Sequence, residues 1–164
     1  MILIKTLDPT LQDGELPFFK NSLKAVFSEK GLCRLSFQSG PAKENLGCPK
    51  LQKILSPLLA YLNGDLQSFL WPIDWSKLKG TAFQKKVWRA LCEIPSGEVA
   101  TYSEVAQAVG SPNAARAVGA ACGQNPILLV IPCHRVVAQG HWGGYSGGGL
   151  EIKKTLLRLE GHHL

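Results

Sequence analysis

Five consecutive apolar residues, ILLVI at 127–131, run straight into Pro132, Cys133, His134 and Arg135. An apolar run of this length bounded by a proline reads as a buried strand, since proline ends ladder pairing and an unbroken apolar segment has no face to offer water. A thiol, an imidazole and a guanidinium then follow at a rigid strand end, and the chain loosens into GGYSGGG at 143–149. A segment of this kind needs core on both sides and holds a chemical group in one place.

The chain can supply that core. It has 164 residues, 45% of them hydrophobic and 18% charged, which fits one large or two small globular domains and excludes a disordered chain. No apolar run nears the roughly 20 residues of a membrane span. The start, MILIKTLDPT, lacks the basic region, apolar stretch and small-residue site of a secretory signal. The expectation is an intracellular protein with no membrane partner: cytoplasmic, and nucleoid-associated or nuclear according to the cell it comes from.

The five cysteines, Cys33, Cys48, Cys92, Cys122 and Cys133, are odd in number, irregularly spaced and form no C-x-x-C. This argues against a disulfide framework and against a zinc site, and fits reduced thiols. A Cys33–Cys48 bridge stays open, although the spacing gives it no support. The net charge of +6 leans mildly toward polyanions and decides nothing alone.

Up to about residue 48, strand-like segments alternate with turn residues, and LKAVFSEKGLCRLSF reads as a hairpin around Glu29, Lys30 and Gly31. Leu51, Ile54, Leu55, Leu58, Leu59 and Leu62 recur at helical spacing, with Ser56 and Pro57 kinking or restarting that helix. GDLQSFLWPIDWSKLKG, without a clear period, reads as the linker between two halves. Thr81 and Gln84 form a capping-box pattern ahead of a helix with Phe83, Val87, Trp88 and Leu91 on its buried face, ended by Pro95, Ser96 and Gly97. EVATY is a short extended piece. Helices over about 103–109 and 112–122, the second capped by Ser111 with Pro112 in its first turn, suggest helix-turn-helix.

That second helix is NAARAVGAAC, and Arg116 is its single long side chain among Ala and Gly. Readers of the major groove present several Arg, Asn, Gln or Lys side chains to base edges. Two readings stay open: small residues that let another element pack closely, or a close, sequence-blind approach to a duplex with Arg116 as the probe that enters the stack.

A buried cysteine is usually inert core, but Cys133 has His134 and Arg135 beside it. Thiols react as thiolates, so a base or a cation must favour ionisation. Successive side chains on an extended segment point to opposite faces, so His134 need not touch Cys133 directly and can act through a water or a bend. The residues alone allow a Cys-His hydrolase or a thiol that accepts a group.

IPCHRV with GGYSGG downstream, LLRLEG near the end, RAVGAACGQNP before and GTAFQKKVWRALCEIPSGEVATYSEVA before that together resemble the O6-alkylguanine-DNA alkyltransferases, also called methylated-DNA–protein-cysteine methyltransferases. The resemblance is close over residues 80–161 and extends to the first half only in general organisation. It implies an α/β (α+β) fold: a small ribonuclease H-like sheet domain with linker over 1–76, and a helical domain with a winged helix-turn-helix over 77–164. It implies a monomer whose partner is double-stranded DNA carrying O6-alkylguanine, and leaves open whether O4-alkylthymine is a further substrate. Cys133 would take the alkyl group irreversibly, and no cofactor or metal is needed because the lesion supplies the electrophile.

The same resemblance assigns roles. Glu160 orients His134, which draws the Cys133 proton through a bridging water, and Asn125 braces the turn around the thiol. Tyr102 helps rotate the nucleotide and donates to the departing guanine. Tyr145 and Ser146 wall the pocket and bond O6, while backbone groups of Cys133 and Val136 read the guanine edge. Arg116 fills the gap left by the extruded base, and Tyr102, Ser103 and Arg135 complete the expected DNA contacts. The extra glycine of YSGGGLE changes the lid length relative to familiar members, which bears on tolerance for bulky alkyl groups. Two rivals differ in class. An alkyltransferase-like lesion binder lacks the nucleophilic cysteine that Cys133 supplies, and a thiol hydrolase requires an oxyanion site that no segment provides.

Overall fold

The computed structural model describes residues 21–39, 56–58, 60–62, 64–65 and 70–162. The strand expected at ILIKTL lies outside them. Strands β1 (Asn21–Phe27) and β2 (Leu32–Ser39) form the expected antiparallel hairpin, with a bulge between Val26 and Phe27. Gly31 turns the hairpin at φ 149°, and a Cβ there would overlap the Pro72 carbonyl oxygen. Glycine is therefore required where the 72–74 segment pairs with the hairpin, through Leu32 N–H to Pro72 O at 2.7 Å and Asp74 N–H to Leu32 O at 3.0 Å.

The stretch read as a linker packs as structure. Trp71 and Leu78 are buried, and the buried Asp74 carboxylate accepts from Ser28 Oγ at 2.6 Å and from the Ser76 amide at 3.1 Å. Residues 56–58 and 60–62 are helical and bury Leu58, Tyr61 and Leu62, in keeping with the spacing of the leucines.

Helix α1 (Ala82–Cys92) opens with both bonds of the Thr81–Gln84 capping box and buries Val87, Trp88 and Leu91. Helix α2 (Tyr102–Ala108) opens with a second box, Thr101 with Glu104, directly after the two-residue strand β3 (Ala100–Thr101). Helix α3 (Ala115–Gly123) starts later than expected. Ser111 and Pro112 are not its cap and first residue: the Ala114 amide bonds to Ser111 O at 2.9 Å, closing a turn that precedes the helix. The Trp88 indole N–H donates to Ala121 O at 2.9 Å and fixes α3 against α1.

The ILLVI run is buried as its composition demands, with Ile127, Leu128, Leu129 and Ile131 in the core, but it is not a strand. Leu129 stands at φ 70° and the chain coils, with Ile131 N–H on Ile127 O at 3.0 Å. A buried irregular segment must pair its backbone elsewhere, and β2 supplies the partner: Leu35 N–H to Pro126 O at 3.0 Å and Leu128 N–H to Leu35 O at 2.9 Å. One strand of the hairpin thus seats both the 72–74 segment and the coil that leads to the thiol. A 3-10 turn (Cys133–Arg135), strand β4 (Val136–Val137), parallel to β3, and helix α4 (Leu150–Leu159) complete the described chain. Among the described residues no helix is long and apolar enough to cross a membrane.

Candidate active site

Cys133 begins the 3-10 turn with its side chain 4% exposed. Asn125, two residues beyond α3, spans the coil that leads to it. Its Nδ2 donates to Ile131 O at 2.7 Å and to Cys133 Sγ at 3.0 Å, while its Oδ1 accepts from the Ile127 amide at 2.9 Å. One amide therefore braces both ends of the coil and aims a donor at sulfur. Burial pushes the Cys133 thiol up from its ordinary range; the Asn125 hydrogen bond and the Lys153 charge oppose it. The resting form is the thiol, and a base is needed when it attacks.

The turn also decides where His134 goes. Its Nε2 lies 2.9 Å from Glu160 Oε1, and the ring is fully buried. Glu160 accepts further bonds from Tyr61 Oη at 2.8 Å on Oε1 and from Arg135, with Nη2 at 2.7 Å on Oε1 and Nε at 2.9 Å on Oε2. Burial alone would raise the Glu160 carboxyl, but the bonds from His134 and Arg135 outweigh it and hold the group at about 2. Burial holds the imidazole below its ordinary range, with Glu160 opposing. A carboxylate only accepts, so Nε2 carries the proton of a neutral ring and Nδ1 keeps its lone pair. That Nδ1 is buried with no hydrogen-bond partner among the described residues.

Cys133 opens on a pocket of about 190 Å³, also lined by Tyr102 at the start of α2, Cys122 on α3, and Tyr145 and Ser146. The Tyr145 ring folds back over Gly147, where a Cβ would come within 2.6 Å of it, and its hydroxyl is buried without a hydrogen-bond partner among the described residues. Burial raises the hydroxyl pKa of both Tyr102 and Tyr145, which keeps them as donors. A larger cleft of about 710 Å³, lined by Arg34, Lys77, Lys79, Asn125 and Ser146 among others, does not include Cys133. Cys33, Cys92, Cys122 and Cys133 are free thiols, and Cys48 lies outside the described residues. Among the described residues no group of His, Cys, Asp or Glu is arranged to hold a metal.

The structure thus gathers Cys133, His134, Glu160, Asn125, Tyr102, Tyr145, Ser146 and the Val136 backbone in one region, while Ser103 and Arg116 lie exposed on α2 and α3. Arg135, expected among the DNA contacts, is 9% exposed: its Nη1 donates to Ile94 O at 2.6 Å and its guanidinium pairs with Glu160 in the interior. Two residues escaped the sequence reading. Tyr61 reaches Glu160 across 99 positions, and only its place on the leucine-rich helical stretch hinted at burial. Lys153 stands next to Lys154 with no local signal of burial, yet it is fully buried.

Comparison with known proteins accords with this geometry. A family model for the DNA binding domain of 6-O-methylguanine DNA methyltransferase matches residues 82–162. A methylated-DNA–protein-cysteine methyltransferase of Methanosarcina barkeri is 44% identical over 147 residues, covering 84% of this chain and 89% of that protein. One from Mycolicibacterium paratuberculosis is 53% identical over 105 residues, covering 63% of this chain and 61% of that protein, less than two thirds of its length. The crystal structure of Mycobacterium tuberculosis OGT in complex with DNA matches with a TM-score of 0.74 and 37% identity over 90% of each chain.

Proposed function

The chain belongs to the O6-methylguanine DNA methyltransferase family, and from that membership we propose that it repairs duplex DNA by transferring the alkyl group on O6 of guanine irreversibly to its own Cys133. The observation that carries the reading is the Cys133 thiol at the wall of a base-sized pocket, with an Asn125 donor on its sulfur and the Glu160-bound His134 next to it in the chain.

In the reaction Cys133 Sγ attacks the alkyl carbon as the bond from that carbon to O6 breaks. The thiol proton passes through a bridging water to His134 Nδ1, the nitrogen left free by the Nε2 bond to Glu160. Arg135 and Tyr61 hold Glu160 charged and fixed while the imidazole becomes cationic. The departing guanine oxygen takes a hydrogen bond from the Tyr145–Ser146 side of the pocket, and Tyr102 donates to the base. The product thioether has no facile leaving group, so each molecule reacts once. Lesion and thiol together complete the chemistry without a cofactor.

The DNA side of the reading rests on α2 and α3. Ser103 and Arg116 are exposed there, and the Ala and Gly of α3 let a duplex approach closely without base readout. Extruding a nucleotide costs a few kcal/mol, and Arg116 fills the space left in the stack. The partner is double-stranded DNA carrying O6-alkylguanine, bound by a monomer in whichever compartment holds that DNA. Cys133→Ser should bind lesion-bearing duplex and transfer nothing, because a hydroxyl is far less nucleophilic than a thiolate. Transfer by the serine protein, or many turnovers per wild-type molecule, defeats the proposal.

A further inference from the structure

Lys153 has no part in the chemistry set out above, although it sits at the same site. It is 0% exposed on α4, whereas its neighbour Lys154 is at the surface and pairs with Glu151 at 3.2 Å. Its Nζ donates to three backbone carbonyls: Val136 at 2.6 Å, Trp142 at 2.5 Å and Gly144 at 3.4 Å. An ammonium has three donors, so the hydrogen bonds are satisfied, but carbonyls carry no countercharge. If the position served packing alone, an apolar side chain of similar volume would do so without the desolvation penalty of a buried cation.

The three acceptors belong to parts that the transfer needs in register. Val136 is the residue after the 3-10 turn that holds Cys133. Trp142 and Gly144 lead directly into Tyr145 and Ser146, the pocket wall. The titratable groups in the field of Lys153 are Cys133 at the turn, Cys122 on α3 and His134. Burial lowers the Lys153 amine to about 8, with both thiols opposing the shift, so the charge is present at neutral pH.

We infer that Lys153 is a positioning residue of the transfer reaction: its ammonium ties the lid backbone at Trp142 and Gly144 to the Val136 carbonyl, and its buried charge favours ionisation of the acceptor thiol. The inference rests on the reading of Cys133 as the acceptor. Lid and acceptor are thereby set by one group, and replacing that group changes both the shape of the pocket and the ionisation of the thiol.

Three variants separate this role from simple packing. Lys153→Met keeps the stem and removes charge and donors, Lys153→Gln keeps two donors without charge, and Lys154→Met removes the adjacent surface charge. The readouts are the rate of transfer from a duplex containing O6-methylguanine and the pH titration of Cys133 labelling by iodoacetamide, measured on the Cys133 peptide. Lys153→Met should slow transfer on the order of tenfold, as misplacement of a reacting group does, and move the Cys133 titration to higher pH. Lys153→Gln should move the titration similarly and recover part of the rate, and Lys154→Met should change neither. Should the methionine protein fail to fold, the glutamine protein decides by the same two readouts. An unchanged rate, or a slower rate with an unmoved titration, overturns the inference. A wild-type protein that transfers nothing refutes the repair reading instead, and the labelling titration still reports whether Lys153 acts on the thiol.

Discussion

Glu160 is 2% exposed and accepts bonds from Tyr61, His134 and, twice, Arg135. The arrangement keeps one carboxylate charged inside the protein and the imbalance close to zero, since Arg135 is its countercharge. His134 therefore stays neutral and able to accept a proton below the ordinary imidazole range. The folded imidazole has a lowered pKa and the unfolded one titrates near 6.5, so on acidification the unfolded chain takes up protons first and stability falls as pH drops through 6.5. The Glu160 contribution is complete above the unfolded value of 4.5 and is lost as pH falls from there toward about 2. Thermal unfolding followed from pH 7.5 to 3 should show a decline that begins near 6.5 and steepens below 4.5, while transfer persists at pH 6. A melting temperature that rises on acidification contradicts the protonation states assigned here.

At the scale of elements, α3 is held from behind by the Trp88 bond to Ala121 and leaves Arg116 exposed. Arg116→Ala should impair repair of a duplex more than reaction with free O6-benzylguanine, because only the duplex has to be unstacked. Equal losses on the two substrates remove Arg116 from that step. Elements with local signals were legible in the sequence: both partners of the Thr81–Gln84 box lie within one turn, and the hairpin around Gly31 is bounded by turn residues. Ser111 and Pro112 misled because a serine followed by proline suits a β-turn as well as a helix start, and here the turn forms first. ILLVI misled because apolarity reports burial and not backbone path; besides its own internal bonds, the coil's backbone is met by Asn125 and by Leu35, which lies far away in sequence.

At the scale of the molecule, the site is assembled from distant parts. The nucleophile and its brace were readable because they lie within one motif-rich stretch, whereas Tyr61 and the carbonyl partners of Lys153 depend on how helices and lid come together. Arg135 shows the same dependence: its sequence neighbours Cys133 and His134 give no sign of the Glu160 partner that tertiary packing brings to it. Close packing around the acceptor also predicts what reaction does to the protein. Cys133 is 4% exposed and held by Asn125 beside a pocket of about 190 Å³, so an added alkyl group presses on the coil and on the end of α3. Overpacking costs ~1–3 kcal/mol, and each kcal/mol lowers the melting temperature of a chain this size by about 2–4 °C. Methylated protein should melt below the untreated form and benzylated protein lower still; equal or higher melting temperatures would show slack in the pocket. The central claim, that Cys133 is a single-use acceptor, is tested most directly by weighing the protein after incubation with excess duplex carrying one O6-methylguanine. The account predicts a gain of one methylene per molecule, located on the Cys133 peptide, with an equal amount of lesion removed; an unchanged mass, a label on another residue, or more lesion removed than protein present would contradict it.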